Sequence, residues 1–219
     1  MTIEIDHVFV ACHTDAPEGG LLVNQGFLEG SPNRHPGQGT ANRRFFFDNF
    51  MLELIWIDNE KEARSELTKD TRLWERCNKR DANSSPFGLV FRPKDSNELT
   101  PPFSTWKYCP QYLPPELAIE IAAGTSLTEP GIFYLPFLNN RNKGANEPTN
   151  HALPFRNVKR IELGLPNAMT LTSEFRNAID SGGIECFQSV EHVIHIVFEG
   201  ESAMQLDFRP QLPVILMTE

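Results

Sequence analysis

The sequence predicts an α+β fold: two βαβββ modules forming an open eight-stranded, barrel-like sheet, with a strand-containing insertion between them. Three observations carry this. The element order β-α-β-β-β reads once over residues 1–58 and again over 155–212. The spacing from the first to the last strand is nearly the same in both copies: 46 positions from His7 to Glu53, and 45 from Arg160 to Gln205. A four-stranded curved sheet cannot close alone, so two copies side by side give eight strands around a cleft. The chain is read as a single domain over 1–219, with the insertion at 59–154.

Composition agrees with a globular protein. Of 219 residues, 40% are hydrophobic and 22% charged, enough to bury a core. The formal net charge of −9 opposes binding to phosphate backbones, so nucleic acid is not an expected partner. No apolar run has the ~18 residues a spanning helix needs, so no membrane is expected. The start, MTIEID, lacks the basic and apolar regions of a signal peptide. Cys12, Cys77, Cys109 and Cys186 form no Cys-x-x-Cys pair, and buried free thiols in a reducing cytoplasm are expected.

In chain order, residues 3–10 alternate and are rich in Ile, Val and Phe, which predicts a strand. Ala16 to Asn24 reads as a short helix capped by Thr14 or Asp15. Phe27 to Gly30 is expected to open a second strand before a loop rich in Pro and Gly. Arg43 to Phe47 and Phe50 to Ile57, split by Asp48-Asn49, read as a hairpin. In its second arm Leu52, Leu54 and Trp56 alternate with Met51, Glu53 and Ile55. Glu53 is thus a carboxylate on an otherwise apolar face, which is costly unless it meets a metal, a cation or water.

Residues 59–76 predict a surface helix capped by Asp58. Short strands are expected at 88–92, 105–109, 119–121 and 132–137, and residues 138–150 read as a polar, mobile loop. Then the pattern returns: a strand at 158–165, a helix at 167–180 stopped by Gly182-Gly183, and strands at 184–190, 192–198 and 203–209.

HPGQGTANRRF followed by LEL resembles the glyoxalase-like branch of the vicinal oxygen chelate superfamily. The likeness begins at IDHVFV (5–10) and reappears at HALPFRNVKRIELGL (151–165). The resemblance implies a cleft that binds a small molecule. It also implies a metal held by a first-strand histidine and a last-strand carboxylate, here His7 and Glu53. Zinc, manganese or iron would suit such donors. The second module departs from that pattern. Its counterparts are Arg160 and Gln205, which are poor ligands, while a shift of two positions gives Glu162 and Asp207. Two readings therefore stand: a divalent metal with His7, Glu53 and those carboxylates, or no metal, with Arg160 in its place against Glu53.

The candidate catalytic residues are His7 and Glu53. His35, Thr40, Asn42, Arg44, Arg160 and Gln205 are the candidate substrate contacts. His151 either lines the cleft or anchors a loop, and His192 and His195 read as structural. Lyase, isomerase or dioxygenase chemistry on a small oxygenated molecule is one expectation; a non-catalytic, drug-sequestering binder is the other. A homodimer is a possible assembly.

Overall fold

The structure is a computed structural model, and it describes residues 3–78, 84–95, 99–138 and 146–219. The strands of module one are β1 (Ile3–Ala11), β2 (Asn33–His35), β3 (Thr40–Phe46) and β4 (Met51–Ile57). The middle segment adds β5 (Phe87–Pro93), β6 (Thr105–Tyr108), β7 (Ile119–Ala122) and β8 (Gly131–Tyr134). The C-terminal part holds β9 (Val158–Leu165), β10 (Glu185–Gln188), β11 (Val193–Phe198), β12 (Met204–Asp207) and β13 (Val214–Thr218).

The expected eight-stranded open sheet is present, in the order β2-β3-β4-β1-β5-β8-β7-β6. Its second half comes from 87–134, not from 158–209 as the repeat suggested. The two halves meet where β1 runs antiparallel to β5, and each half repeats one plan: β4 lies parallel to β1, and β8 parallel to β5. The C-terminal strands instead form a separate five-stranded sheet, β10-β9-β11-β13-β12. The physical reason is edge availability. Once β5 pairs with β1, module one offers the C-terminal unit no central edge, so that unit packs face to face.

The two faces of the large sheet have different work. Val8, Val10, Leu52, Leu54, Trp56, Leu89 and Phe91 point to the back and share one core with Ile161, Leu163, Ile194, Ile196 and Leu216 of the small sheet. The helix at Ser173–Gly182 packs there too, and at Gly182 an added Cβ would lie 2.3 Å from the Phe91 ring. The other face carries a smaller core of Phe9, Ile55, Leu73, Val90, Ile119 and Phe133, and the cavity lies within it.

Helices are short. α1 (Gly19–Asn24) begins later than expected because Asp15 and Ala16 take positive φ, 64° and 42°, which a helix cannot use. No strand forms at 27–30; β2 starts at Asn33. The charged 59–76 stretch is not one surface helix. It breaks into α2 (Glu60–Ala63), a 3-10 turn at Lys69–Thr71, and α3 (Leu73–Asn78), whose Leu73 and Cys77 are buried. The cap of α2 is Asn59, not Asp58, and it accepts from the Glu62 N–H. α4 (Ser173–Gly182) starts at Thr172, whose hydroxyl accepts from the Phe175 N–H at 3.2 Å, and ends on Gly183 at φ 67°. The polar loop expected at 138–150 falls mostly outside the described residues. Of the four cysteines, expected to be buried, only Cys12 and Cys77 are; Cys186 is half-buried and Cys109 exposed. Among the described residues no helix is long and apolar enough to cross a membrane.

Candidate functional site

The cavity, about 220 Å³, is built by both halves of the large sheet, and they contribute different chemistry. Module one lines it with His7, Asn33, His35, Asn42, Arg44 and Glu53. The second half supplies hydrocarbon: Val90, Ile119, Phe133, Leu135 and Phe137.

His7 reaches the cavity because β1 is irregular. Ile3 and Ile5 sit with the back core, so strict alternation would send His7 there as well. The pairing with β5 shifts register between Ile5 and His7, leaving Asp6 as the extra residue. Such a bulge re-aims the side chains that follow it. His7 and Phe9 then face the cavity while Val8 and Val10 turn to the back. The bulge also sets Asp6 beside His7, with Nδ1 2.7 Å from Oδ2. A carboxylate there accepts the Nδ1 proton and leaves Nε2 directed to the other side. Arg92 on β5 faces Asp6 at 3.4 Å.

Glu53 sits on β4, where alternation alone puts it on the cavity face between Met51 and Ile55. It is 5% exposed. Two neighbours make that burial tolerable: the Asn42 amide donates to Oε1 at 2.6 Å, and His7 Nε2 stands 3.5 Å from Oε2. The second distance is too long for a strong hydrogen bond, but suits two groups contacting one ligand atom. Asn42 is itself fixed, since its Oδ1 accepts from the Asn33 N–H at 2.8 Å.

His35 closes the polar end. Its Nδ1 lies 2.8 Å from Thr40 Oγ1, which also receives the Gln38 amide at 2.7 Å. Burial pulls His35 below the ordinary histidine value, against the opposing pull of Glu53, so the ring is neutral. Tyr112 lies against His35 with ring centroids 4.8 Å apart and donates to Gln38 Oε1 at 3.3 Å. Burial raises the Tyr112 phenol, which stays protonated.

The structure therefore brings His7, Glu53, His35, Asn42 and Arg44 to one cavity, with Thr40 bonded just behind His35. It does not bring Arg160, Gln205, Glu162 or Asp207 there. All four lie on the small sheet. Arg160 does not face Glu53; it pairs with Glu162 at 2.7 Å and with Glu219. Glu162 also meets His195 at 3.1 Å, and these two partners hold its carboxyl below the usual range although burial alone would raise it. Asp207 pairs with Arg209, and Gln205 is exposed.

His151 anchors rather than lines. Its Nδ1 accepts from the Leu28 N–H at 3.0 Å and its Nε2 donates to the Phe46 carbonyl at 2.9 Å. Asp6, Gln38 and Tyr112 escaped the sequence reading. The Asp6-His7 pair inside an apolar run was a usable signal for the bulge; Tyr112, in a stretch broken by Pro110, Pro114 and Pro115, gave none.

Of the donors that the resemblance implied, His7 and Glu53 stand together at the cavity, and Glu162 and Asp207 lie on the small sheet. Among the described residues no three His, Cys, Asp or Glu side chains are grouped to hold an ion. The reason is the second half of the sheet: His7 pairs across the seam with Val90, and Phe133 and Leu135 of that half line the cavity where further ligands would be needed.

An open eight-stranded sheet of two matching halves, with a half-polar cavity on one face, is the architecture of glyoxalase-like folds. Residues 5–109 match the family described as "Glyoxalase-like domain", so just under half of the chain is similar to that family. A solved structure shares the fold. A hypothetical protein from Staphylococcus aureus aligns with TM-score 0.58 and 9% identity over 99% of both chains. A xylose isomerase-like TIM barrel/4-hydroxyphenylpyruvate dioxygenase fusion protein gives 0.48 at 9% identity, over 92% of this chain and 37% of that one. A mutant 4-hydroxymandelate synthase from Streptomyces coelicolor gives 0.45 at 10% identity, over 99% and 62%. These two scores are too low to support any inference about chemistry. No curated protein matches the chain in sequence.

Proposed function

We propose that the protein is an enzyme that moves a proton on a small oxygenated molecule, in lyase- or isomerase-type chemistry, with His7 and Glu53 as its acid–base pair. The observation that carries this is the paired geometry: an imidazole nitrogen and a carboxylate oxygen 3.5 Å apart, both lining one cavity. Each is held from behind, His7 by Asp6 and Glu53 by Asn42. Groups so fixed lose little freedom when a substrate arrives, which favours proton transfer. One accepts the proton from carbon or hydroxyl, and the other returns it to the neighbouring atom. The Asn33 amide, which donates to His35 Nε2 at 3.3 Å, keeps a second N–H that can hydrogen-bond a carbonyl oxygen as charge grows on it.

A second reading, a non-catalytic binder, is favoured by the hydrocarbon half of the cavity. One experiment separates them. The protein is incubated in D₂O with a panel of small hydroxy-aldehydes and hydroxy-ketones, and carbon-bound deuterium is followed by NMR. Exchange by the wild type that is abolished in Glu53→Gln and His7→Gln supports the enzyme. Ligand binding with no exchange on any compound supports the binder.

A further inference from the structure

Resting on that reading of the cavity, we propose that it takes an uncharged, single-ring molecule bearing a hydrogen-bond donor, and that Glu147 keeps anions out by occupying Arg44.

The shape argument is simple. Apolar cavities of ~150 Å³ hold benzene, so about 220 Å³ has room for one ring and a small substituent. The ring's place is the hydrocarbon half, against Phe133 and Phe137, and the substituent's place is the polar half. There Glu53 has committed Oε1 to Asn42, which leaves Oε2 as an acceptor for a donor on the ligand.

The charge argument excludes anions. Arg44 is the cation on the cavity wall, and its chemistry points outward. Its Nε donates to the Ser31 carbonyl at 2.7 Å and its Nη2 to Ser31 Oγ at 2.7 Å. Glu147 Oε1 stands 3.5 Å from Nη2. Glu147 is fixed in turn by the Ser31 N–H at 2.9 Å and by the Ser31 hydroxyl. These contacts outweigh burial and hold Glu147 below the usual carboxylate range, so it is ionised and offsets Arg44. Arg92 is likewise spent, on Glu4 at 2.7 Å and Asp6. Glu53 lines the polar end, Asp6 and Glu147 reach it through His7 and Arg44, and His35 there is neutral. An incoming carboxylate or phosphate would meet Glu53, with the described arginines nearby, Arg44 and Arg92, already paired to carboxylates. A pocket built to receive an anion would leave its arginine fork open.

The test uses an isosteric pair, benzamide and benzoate, titrated into the full chain at neutral pH and followed by saturation-transfer NMR. Wild type is expected to bind benzamide at least about tenfold more tightly than benzoate. Glu147→Gln should raise benzoate affinity by about threefold or more and leave benzamide within about twofold, because it frees the guanidinium and touches nothing on the amide's side. Ser31→Ala, which also loosens Arg44, should move benzoate in the same direction; circular dichroism verifies the fold of both variants. Benzoate binding as tightly as benzamide, or Glu147→Gln leaving benzoate unchanged, would overturn the proposal and leave the proton-transfer reading standing. If neither probe binds, this proposal falls too, and the deuterium exchange alone decides the proton-transfer reading.

Discussion

Asn42 is the residue whose removal should be most informative, because it connects the fold to the acid–base pair. Its side chain makes two bonds: Oδ1 accepts the Asn33 N–H at 2.8 Å, and Nδ2 donates to Glu53 at 2.6 Å. The first joins β2 to β3. The second satisfies a carboxylate that is 5% exposed. Asn42→Ala removes both. A neutral bond contributes about 1 kcal/mol and one to a charged group ~1.5–3, so the expected loss is about 3 kcal/mol. For a chain of this size that is a fall of ~6–12 °C in Tm. Urea denaturation at neutral pH measures it. Asn42→Asp gives a sharper test. It keeps an acceptor for Asn33 but places a second carboxylate where the amide stood against Glu53. It should be less stable than Asn42→Ala at neutral pH and recover as acid supplies a shared proton. A loss under about 0.5 kcal/mol for the alanine variant, or a fully stable aspartate variant, would refute the view that Glu53 depends on this amide.

Other outcomes follow from the same geometry. At Gly88 an added Cβ would lie 2.0 Å from the Phe9 ring, so Gly88→Ala must push that ring into the cavity. It should cost ~1–3 kcal/mol in a denaturant titration and weaken ligand binding. Stability should also fall in mild acid. Burial keeps His151 and His192 below the ordinary histidine value, His192 down to about 4. The unfolded chain therefore binds more protons, and the stability present above pH ~6.5 is lost as pH drops toward about 4. A flat profile of denaturation midpoint over that range would contradict this, and His151→Gln should flatten part of it. Arg160→Ala and His195→Ala alter only the small sheet, so ligand affinity and any turnover should stay within about twofold of wild type. A large loss in a kinetic assay would put the site in the wrong sheet.

Much of module one was legible because its strands are long and its signals local. The alternation of Leu52, Leu54 and Trp56 with Met51, Glu53 and Ile55 assigned faces that the structure keeps. Arg43 to Ile57 folds as the expected hairpin, with Phe46 opposite Met51. The middle segment was harder. β6, β7 and β8 are four residues each, too short for a period to show, and their place beside β5 depends on long-range pairing. The C-terminal unit misled for a different reason. Its element order matches module one, but order does not choose a partner; the second edge of β1 is taken by β5, not by a C-terminal strand. Spacing alone aligned Arg160 with His7 and Gln205 with Glu53, but both lie on the small sheet, where the strand parallel to β9 is β10 and not the β12 that carries Gln205. At the site, His7 and Glu53 could be found from residue type and face. Asp6 behind His7 was passed over because the reading relied on strict alternation, which the bulge breaks; the Asp6-His7 pair inside an apolar run was its trace in the sequence. β13 was missed because its strand follows a Pro-containing turn beyond the repeat.

The most direct test of where function lies is a crystal structure of the chain with benzamide bound. Density for the ring between Phe133 and Phe137, with its amide on Glu53 Oε2, is the outcome these residues require. A ligand lodged between the large and small sheets, or beside His195 and Glu162, would contradict the assignment.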